Sequence, residues 1–541
     1  MGRTLRQRIP VRVRHYWKLL AVCGAFVVTV TLVVNTTRIR PYVTSGSAAS
    51  GDQVTVDLTG SVDLFDAAVP HSIQLTFRDD DYQRALDAYF DDGEKEYVEA
   101  DLRIDGLSVP SVGIRLKGNS TLGGLTRNGV TSPRRGAGGA PGGGGPGGGA
   151  PGGAPGGGFP GGGPDGGFPG GGFPGGADQG GFPGGAFPGG AFPGGADQGG
   201  ADQGGADQGA APGGAGPGRG GGFGRASLRA EQPETLPWLI RFDEFVDGRR
   251  YQGHREVTVR VAGMGGGSTV LNEAVTLDVL AQAGEVAQRY AYTTFTINDR
   301  PRTARLVVEH PDEHFADGID GSGVLYKALA GSQFTDQGDD QTDYQDDFKQ
   351  ITKKGSQDLQ PVIDLIKWVN TSSDEAFAAD LDKHVDVASF ARYAALQNLL
   401  LNFDDMAGPG RNYYLWYDLG SKRFSVVGWD YNLTLSGDPA QGPHAAGRMG
   451  GGGGGFGGHV LKERFLAAPA FTEVYEKAYA TLYRKIFADD TALSALDRIT
   501  GVLATVDGAA PDTVTSDAQQ LRTVIEQRTT ALAADPVLRK G

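Results

Sequence analysis

The chain has 541 residues, 89 of them glycine, and a formal net charge of −14. That charge excludes a general nucleic-acid binder, which needs a basic face to neutralise phosphates, and the single cysteine, Cys23, excludes a disulfide framework or a cysteine-based zinc site. Because the glycines crowd into one tract, the packable length is that of one large unit of roughly 350–400 residues.

Residues 1–18 carry Arg3, Arg6, Arg8, Arg12, Arg14 and Lys18. An uncharged run, LLAVCGAFVVTVTLVV, follows from Leu19 to Val34, with Tyr16 and Trp17 at its leading edge. With 35–37 it is long enough for a single transmembrane anchor at 19–37. Only Arg38 and Arg40 follow closely, so the charge bias places the N-terminus in the cytoplasm and the rest of the chain outside the cell membrane. Val22 before Cys23 and the apolar residues after it argue against a lipoprotein signal, and cleavage after Ser45 stands as the alternative to an uncleaved anchor. Residues 38–71 are expected to form a stalk.

From 72 to 135 the pattern is that of a folded part. HSIQLTF alternates as a strand, DDYQRALDAYFDDG reads as a helix closed by Gly93, and YVEADLRIDG and VGIRLKGNST read as two further strands. Residues 136–224 are almost wholly Gly, Pro, Ala, Asp and Gln, with FPGG units at Phe159, Phe168, Phe173, Phe182, Phe187 and Phe192. Such a segment buries too little apolar surface to offset the ordering of its glycines, so a disordered loop is expected. Glycine does not hold every third position, which excludes collagen. The expected role is a passive linker, with self-association or cell-wall contact through the phenylalanines as the alternative.

Order returns over 225–447 with the strands PWLIRFDEF and YQGHREVTVRV. A helix is expected after Gly265, Gly266 and Gly267, with Ser268 or Thr269 as N-cap, Glu273 in its first turn, an apolar stripe of Val270, Ala274, Leu277 and Ala281, and Gly284 as its end. AYTTFTIN and ARLVVEH are strands, the second running into the loop HPDEHF. A further helical region begins near Leu359, and 387–401 is a helix with Phe390, Tyr393, Leu396 and Leu400 at helical spacing. A glycine-rich linker at 448–458 separates this part from a helical tail over 459–541, in which Leu521, Val524, Ile525 and Leu532 form a stripe.

The chemistry concentrates in 402–432, NFDDMAGPGRNYYLWYDLGSKRFSVVGWDYN. Its order is an acidic loop at Asp404 and Asp405, Asn412, a hairpin of NYYLWY and RFSVV, then Asp430. Protein kinases arrange a catalytic-loop aspartate, an asparagine, a hairpin and a metal-binding aspartate in the same sequence. Phosphoryl transfer needs a carboxylate near the incoming hydroxyl and hard oxygen ligands for a divalent cation. Upstream, Lys117 is a candidate for the nucleotide phosphates, Glu273 for the acid that holds that lysine, and VVEHPDEHF for the hinge beside an adenine. Neither a Walker motif nor an HRD or DFG triplet is present, and the eight histidines lack metal-ligand spacing.

These stretches resemble the spore coat protein H (CotH) kinase family. The motifs VGIRLKGNST, PWLIRFDEFVDG with YQG, NEAVTLDVL with AGEVAQRYAY, LVVEHPDEHF, GVLYKA and NFDD…RNYYLWY…FSVVGWDYN stand in the family's order over roughly 72–437. The resemblance implies an α+β, atypical two-lobed kinase-like fold, interrupted here by the glycine-rich loop and followed by a helical C-terminal part. It implies ATP and Mg²⁺ or Mn²⁺ as cofactors and phosphorylation of protein serine or threonine, the chain itself included. Asp404 falls at the position of the base, with Asp405 one residue away as the alternative. Asn412 and Asp430 fall at metal positions, and Lys117, Glu273 and Arg115 at the nucleotide site. Where relatives usually carry a lysine before the second strand this chain has Glu234, Thr235 and Leu236, so Arg241, Lys327 and Arg115 stand beside Lys117 as phosphate-side cations. The rival function is a surface scaffold or adhesion module that keeps the fold without transfer.

Overall fold

The computed structural model describes residues 53–118, 121–132, 228–261, 267–445 and 458–539. The expected anchor at 19–37, the N-terminal segment before it and almost all of the glycine-rich tract lie outside these residues. Among the described residues no helix is long and apolar enough to cross a membrane.

Alternating sequences make the first layer. In β1 (His71–Thr76) and β2 (Val98–Ile104) every second side chain is buried, with α1 (Asp79–Asp92) between them and closed by Gly93 in the left-handed conformation. Period-two burial is what places Ile73, Leu75, Leu102 and Ile104 on one face of a sheet. With β3 (Leu107–Leu116), β4 (Trp238–Arg241), β5 (Glu256–Val259), β6 (Tyr290–Ile297) and β7 (Thr303–Glu309) these strands close a barrel in the order β6-β7-β5-β4-β3-β2-β1. All its pairs are antiparallel except β6 with β1. Strand β3 precedes the glycine-rich tract and β4 follows it, yet they pair directly, Leu116 opposite Trp238. Both sides of the tract therefore build one barrel.

The stretch 53–71, expected as the end of a stalk, folds against this barrel. Val56–Leu58 pairs in parallel with Arg249–Tyr251, and Leu64 and Phe65 are buried in the barrel core. The backbone N–H of Leu64 donates to the Gln252 side chain at 2.9 Å, so an apolar pair in a polar neighbourhood becomes a plug.

The second sheet, ordered β9-β8-β10-β11, is antiparallel and consists of β8 (Gly323–Ala328), β9 (Phe348–Gln350), β10 (Tyr413–Asp418) and β11 (Phe424–Gly428). The expected hairpin is thus present as β10 and β11. Around it stand α2 (Leu271–Ala283), α3 (Gln360–Thr371), α4 (Val387–Leu399) and the tail helices α5 (Val460–Ala467), α6 (Thr472–Tyr483), α7 (Thr491–Leu503) and α8 (Pro511–Ala533). Helix α6 packs along α4, and α7 along α2. The tail therefore shares one hydrophobic core with the helices that lead into the acidic loop.

Helix α2 differs from its expected form. It begins at Leu271, after Val270 in a left-handed conformation, and makes no side-chain cap of its own. Asp517 of α8 instead accepts from the backbone N–H groups of Ser268 and Thr269 at 2.7 and 2.9 Å and from the Thr269 hydroxyl at 2.8 Å. The helix is buried almost all round rather than along a stripe, and Ala281 is exposed. Packing from the barrel on one side and α7 and α8 on the other removes the polar face a surface helix would show.

Candidate active site

The segment after α4 makes a tight acidic loop. Asp404 is buried, and its carboxylate accepts from the Gly410 N–H at 2.6 Å and from the Asn412 side-chain amide at 3.0 Å. The same amide also donates to the Asp404 carbonyl at 3.0 Å. A Cβ on Gly410 would stand 2.6 Å from the Asn412 amide nitrogen and 2.7 Å from an Asp404 carboxylate oxygen, so glycine is required there by close approach. Burial, with Asp430 and Asp405 adding to it, pushes the Asp404 carboxyl up to about 7 against the opposing hydrogen bonds from Gly410 and Asn412.

Its neighbour serves differently. Asp405 forms an ion pair with Lys462 of α5 and accepts from the Ala407 N–H at 2.8 Å. Its carboxylate is thereby tied to the tail and to its own turn.

Past the hairpin, Trp429 and Asp430 face the barrel. Asp430 adopts a left-handed conformation, φ 60°, uncommon for a residue with a Cβ. The turn after it is gripped by α2: the Asn272 amide donates to the carbonyls of Asn432 at 2.8 Å and Thr434 at 3.1 Å, and the hydroxyls of Thr276 and Thr434 lie 2.8 Å apart. The buried Trp429 ring collects cations from three strands. Lys117, just past β3, lies 4.9 Å from its centroid, Arg260, just past β5, 5.1 Å, and Lys327, on β8, 5.5 Å. The His310 ring packs 5.3 Å from it. Among the described residues neither lysine has a carboxylate oxygen within 4.0 Å. Burial, reinforced by the neighbouring cations, holds Lys117 at about 7; burial also holds Lys327 at about 8, despite the attraction of Asp430.

The expected pairing of Lys117 with Glu273 is not what the fold makes. Glu273 is fully buried on α2, and its Oε1 is bound by Arg260, whose other terminal nitrogen lies 2.8 Å from Asp430. Burial pushes the Glu273 carboxyl up to about 7 against this partner. Arg260 escaped the sequence analysis because β5 is buried on both faces, so no alternation marked it out. Its position at the end of the strand directly before α2 was the available signal. The structure brings Lys117, Arg260 and Asp430 together in an open cleft also lined by Gly118, Thr121 and Asn432. Arg115 lies beside the Tyr97 ring at 5.3 Å and Arg241 pairs with Asp243, so each has a partner of its own.

Among the described residues no three His, Cys, Asp or Glu side chains form a ready-made metal cage. The donor set still suits a hard divalent cation. Mg²⁺ is usually held by one or two carboxylates together with substrate phosphates. Asp430 offers a carboxylate, and Asn412, with its amide nitrogen committed to Asp404, offers its carbonyl oxygen.

Comparison with known proteins follows the same lines. Residues 223–532, more than half of the chain, match the family described as CotH kinase protein. The chain belongs to the CotH kinase family. Inner spore coat protein H of Bacillus subtilis (strain 168) is 22% identical over 204 residues, 36% of this chain and 54% of that protein. The chain thus spans about half the length of this curated relative. The crystal structure of a Helicobacter pylori proinflammatory kinase, CtkA, aligns over 51% of this chain and 90% of its own at 9% identity and a TM-score of 0.24, which is too low for fold correspondence. Membership of the CotH kinase family makes this a kinase-like α+β protein, and the matched segment includes α2, the acidic loop, the hairpin and most of α8.

Proposed function

We propose that the chain transfers the γ-phosphoryl group of ATP to serine or threonine hydroxyls of a protein, itself included, on the outer face of the membrane to which its N-terminal segment tethers it. The observation that carries this reading is the pair of lysines, Lys117 and Lys327, held on the Trp429 ring beside Asp430 without a carboxylate ion pair among the described residues. Two half-buried cations without an ion pair of their own are costly unless an anion arrives. The triphosphate of a nucleotide has that charge.

In this reading Asp404 accepts the proton of the incoming hydroxyl. Its raised pKa lies near neutrality, where a general base combines availability with driving force. The Gly410 N–H and the Asn412 amide fix the carboxylate's direction. Asp405, held by Lys462, supports the loop without touching the reacting groups. Asp430 and Asn412 would hold the divalent cation, which, when bound, neutralises charge on the phosphoryl oxygens. One observation favours a non-catalytic scaffold instead: Asp430 is already paired with Arg260.

Labelled ATP with Mg²⁺ or Mn²⁺ tests the proposal on the full-length chain. Phosphate is expected on the chain or an added protein, with Asp430→Ala losing transfer and Asp404→Asn falling by about 10²–10⁴-fold. Asp405→Asn is expected to keep its transfer rate per folded molecule but lose about 1–3 kcal/mol of stability, because it leaves the half-buried Lys462 and the Ala407 N–H with a weaker partner. Equal labelling of wild type and Asp430→Ala, or none with either metal, would refute phosphotransfer.

A further inference from the structure

Among the described residues Arg260 is the one cation that pairs with both Glu273 and Asp430. Its guanidinium spans from Glu273 on α2 to Asp430 after β11 and lies against the Trp429 ring. Its backbone is fixed separately: the Arg260 N–H donates to the Leu306 carbonyl at 2.8 Å, and the Arg260 carbonyl accepts from the Arg305 guanidinium at 2.9 Å. The side chain can therefore change partners without moving the strand.

The charges around it constrain what can bind first. A divalent cation at Asp430 would arrive beside the Arg260 guanidinium, and beside the Lys117 and Lys327 amines whenever they are protonated, in a partly desolvated cleft. Like charges at such range repel strongly when water is excluded. It would also have to take the carboxylate from a guanidinium that is buried and cannot turn to solvent. A polyphosphate removes both obstacles. It supplies anions for the lysines and a new acceptor for the guanidinium nitrogen that leaves Asp430, while the other nitrogen stays on Glu273. A guanidinium is suited to this because its planar fork binds carboxylates and phosphates alike.

We propose that Arg260 is an exchangeable counter-ion of Asp430: it yields the carboxylate to a divalent cation only when nucleotide phosphates arrive to take its guanidinium, so metal and nucleotide bind as a coupled unit. The inference rests on the phosphotransfer reading and adds to it an order of assembly and a positioning role for a residue outside the expected constellation. By linkage, whatever factor the nucleotide adds to metal affinity, the metal adds to nucleotide affinity.

The test is binding rather than turnover. Free Mn²⁺ is followed by its electron paramagnetic resonance signal, with and without a non-hydrolysable ATP analogue, on the full-length chain. In the wild type the analogue is expected to tighten Mn²⁺ by about tenfold or more, within the usual span of coupling between sites. In Arg260→Met, Mn²⁺ alone is expected to bind at least about tenfold tighter than to the wild type, and the coupling to fall about tenfold, to what direct ligation by the phosphates contributes once Mn²⁺ held by the analogue in solution is subtracted. Arg260→Met combined with Glu273→Gln removes the buried pair together and serves if the single variant unfolds, as judged by circular dichroism. Wild-type Mn²⁺ affinity indifferent to the analogue, or coupling of undiminished size in the Arg260 variants, would overturn the exchange and leave phosphotransfer standing. If the analogue fails to bind the wild type with either metal, the phosphotransfer reading falls and the exchange falls with it.

Discussion

Three cations share the ring of Trp429 because an aromatic face attracts positive charge without neutralising it. Such a contact is worth about 2 kcal/mol when desolvated, less than the several kcal/mol that desolvating an ammonium group costs, so the lysines sit near their titration points rather than in stable ion pairs. That is the difference between Lys117 and Lys462, which has Asp405 and shows how the same residue type looks when its role is structural. A second residue makes a prediction outside the cleft. His459 is buried at the start of α5, its Nε2 3.1 Å from the Tyr413 hydroxyl, and burial with nearby Arg411 and Lys462 pushes its pKa down to about 3. The folded state holds this ring neutral while the unfolded chain protonates it near 6.5. Its contribution is therefore complete above about 6.5 and is lost as pH falls toward 3. Between pH 7 and 5 the wild type is expected to lose about 2 kcal/mol more than His459→Gln in denaturant unfolding. Equal losses would show that the ring is hydrated or charged in the folded protein.

At the scale of elements, α2 and the turn after β11 are positioned from a distance. Asp517 of α8 holds Ser268 and Thr269 at the entrance to α2, and a Cβ on Gly267 would stand 2.5 Å from its carboxylate carbon. Eleven residues along, Arg528 donates to the carbonyls of Asn398 and Leu399, where α4 ends, and to those of Pro439 and Gln441. One tail helix thus fixes both the helix that carries Glu273 and the helix that delivers Asp404. Asp517→Ala is expected to cost about 1–2 kcal/mol, as the loss of a helix cap does, and to raise amide exchange over 271–283 before the rest of the core. Uniform exchange across the core would assign Asp517 to general stability alone. The hairpin was legible in sequence because β10 and β11 are short strands about a DLGSK turn, and Gly93 and Gly284 marked helix ends for the same local reason. The cap of α2 was not legible, because its partner lies 248 residues away and local residues offered an alternative. Arg260 was hidden in the same way: its partners Glu273 and Asp430 are joined by packing, and nothing in the spacing announces that one arginine serves both.

For the molecule as a whole, the decisive feature is that the glycine-rich tract interrupts a barrel without dividing it. The ladder around Thr126 receives the chain on both sides of the tract. The Ser132 N–H donates to the Leu125 carbonyl at 2.9 Å before it, and the Thr126 N–H donates to the Leu228 carbonyl at 2.9 Å after it. Thr126 also bridges Arg229 in parallel. The two ends are therefore pinned to neighbouring residues, next to β3 and β4 and within the same compact unit. If the tract is the passive linker expected from its composition, its effect on stability is the entropy of closing a long loop. That entropy grows only with the logarithm of length. Deleting 139–220 shortens the loop by about three doublings, at about 0.6 kcal/mol each, and is expected to stabilise the protein by about 2 kcal/mol or less. Phosphate transfer to a soluble protein is expected to remain unchanged, since Lys117 and Trp238 keep their places at the ends of paired strands. A deletion that lowers the unfolding midpoint, or that abolishes transfer while the barrel stays folded, would give the tract a structural or substrate-capturing role in place of a linker's. Light scattering of the two proteins separates the remaining alternative: self-association through the Phe-Pro-Gly units would be lost in the deleted chain, and a tract that only links would leave the number of chains per particle the same in both.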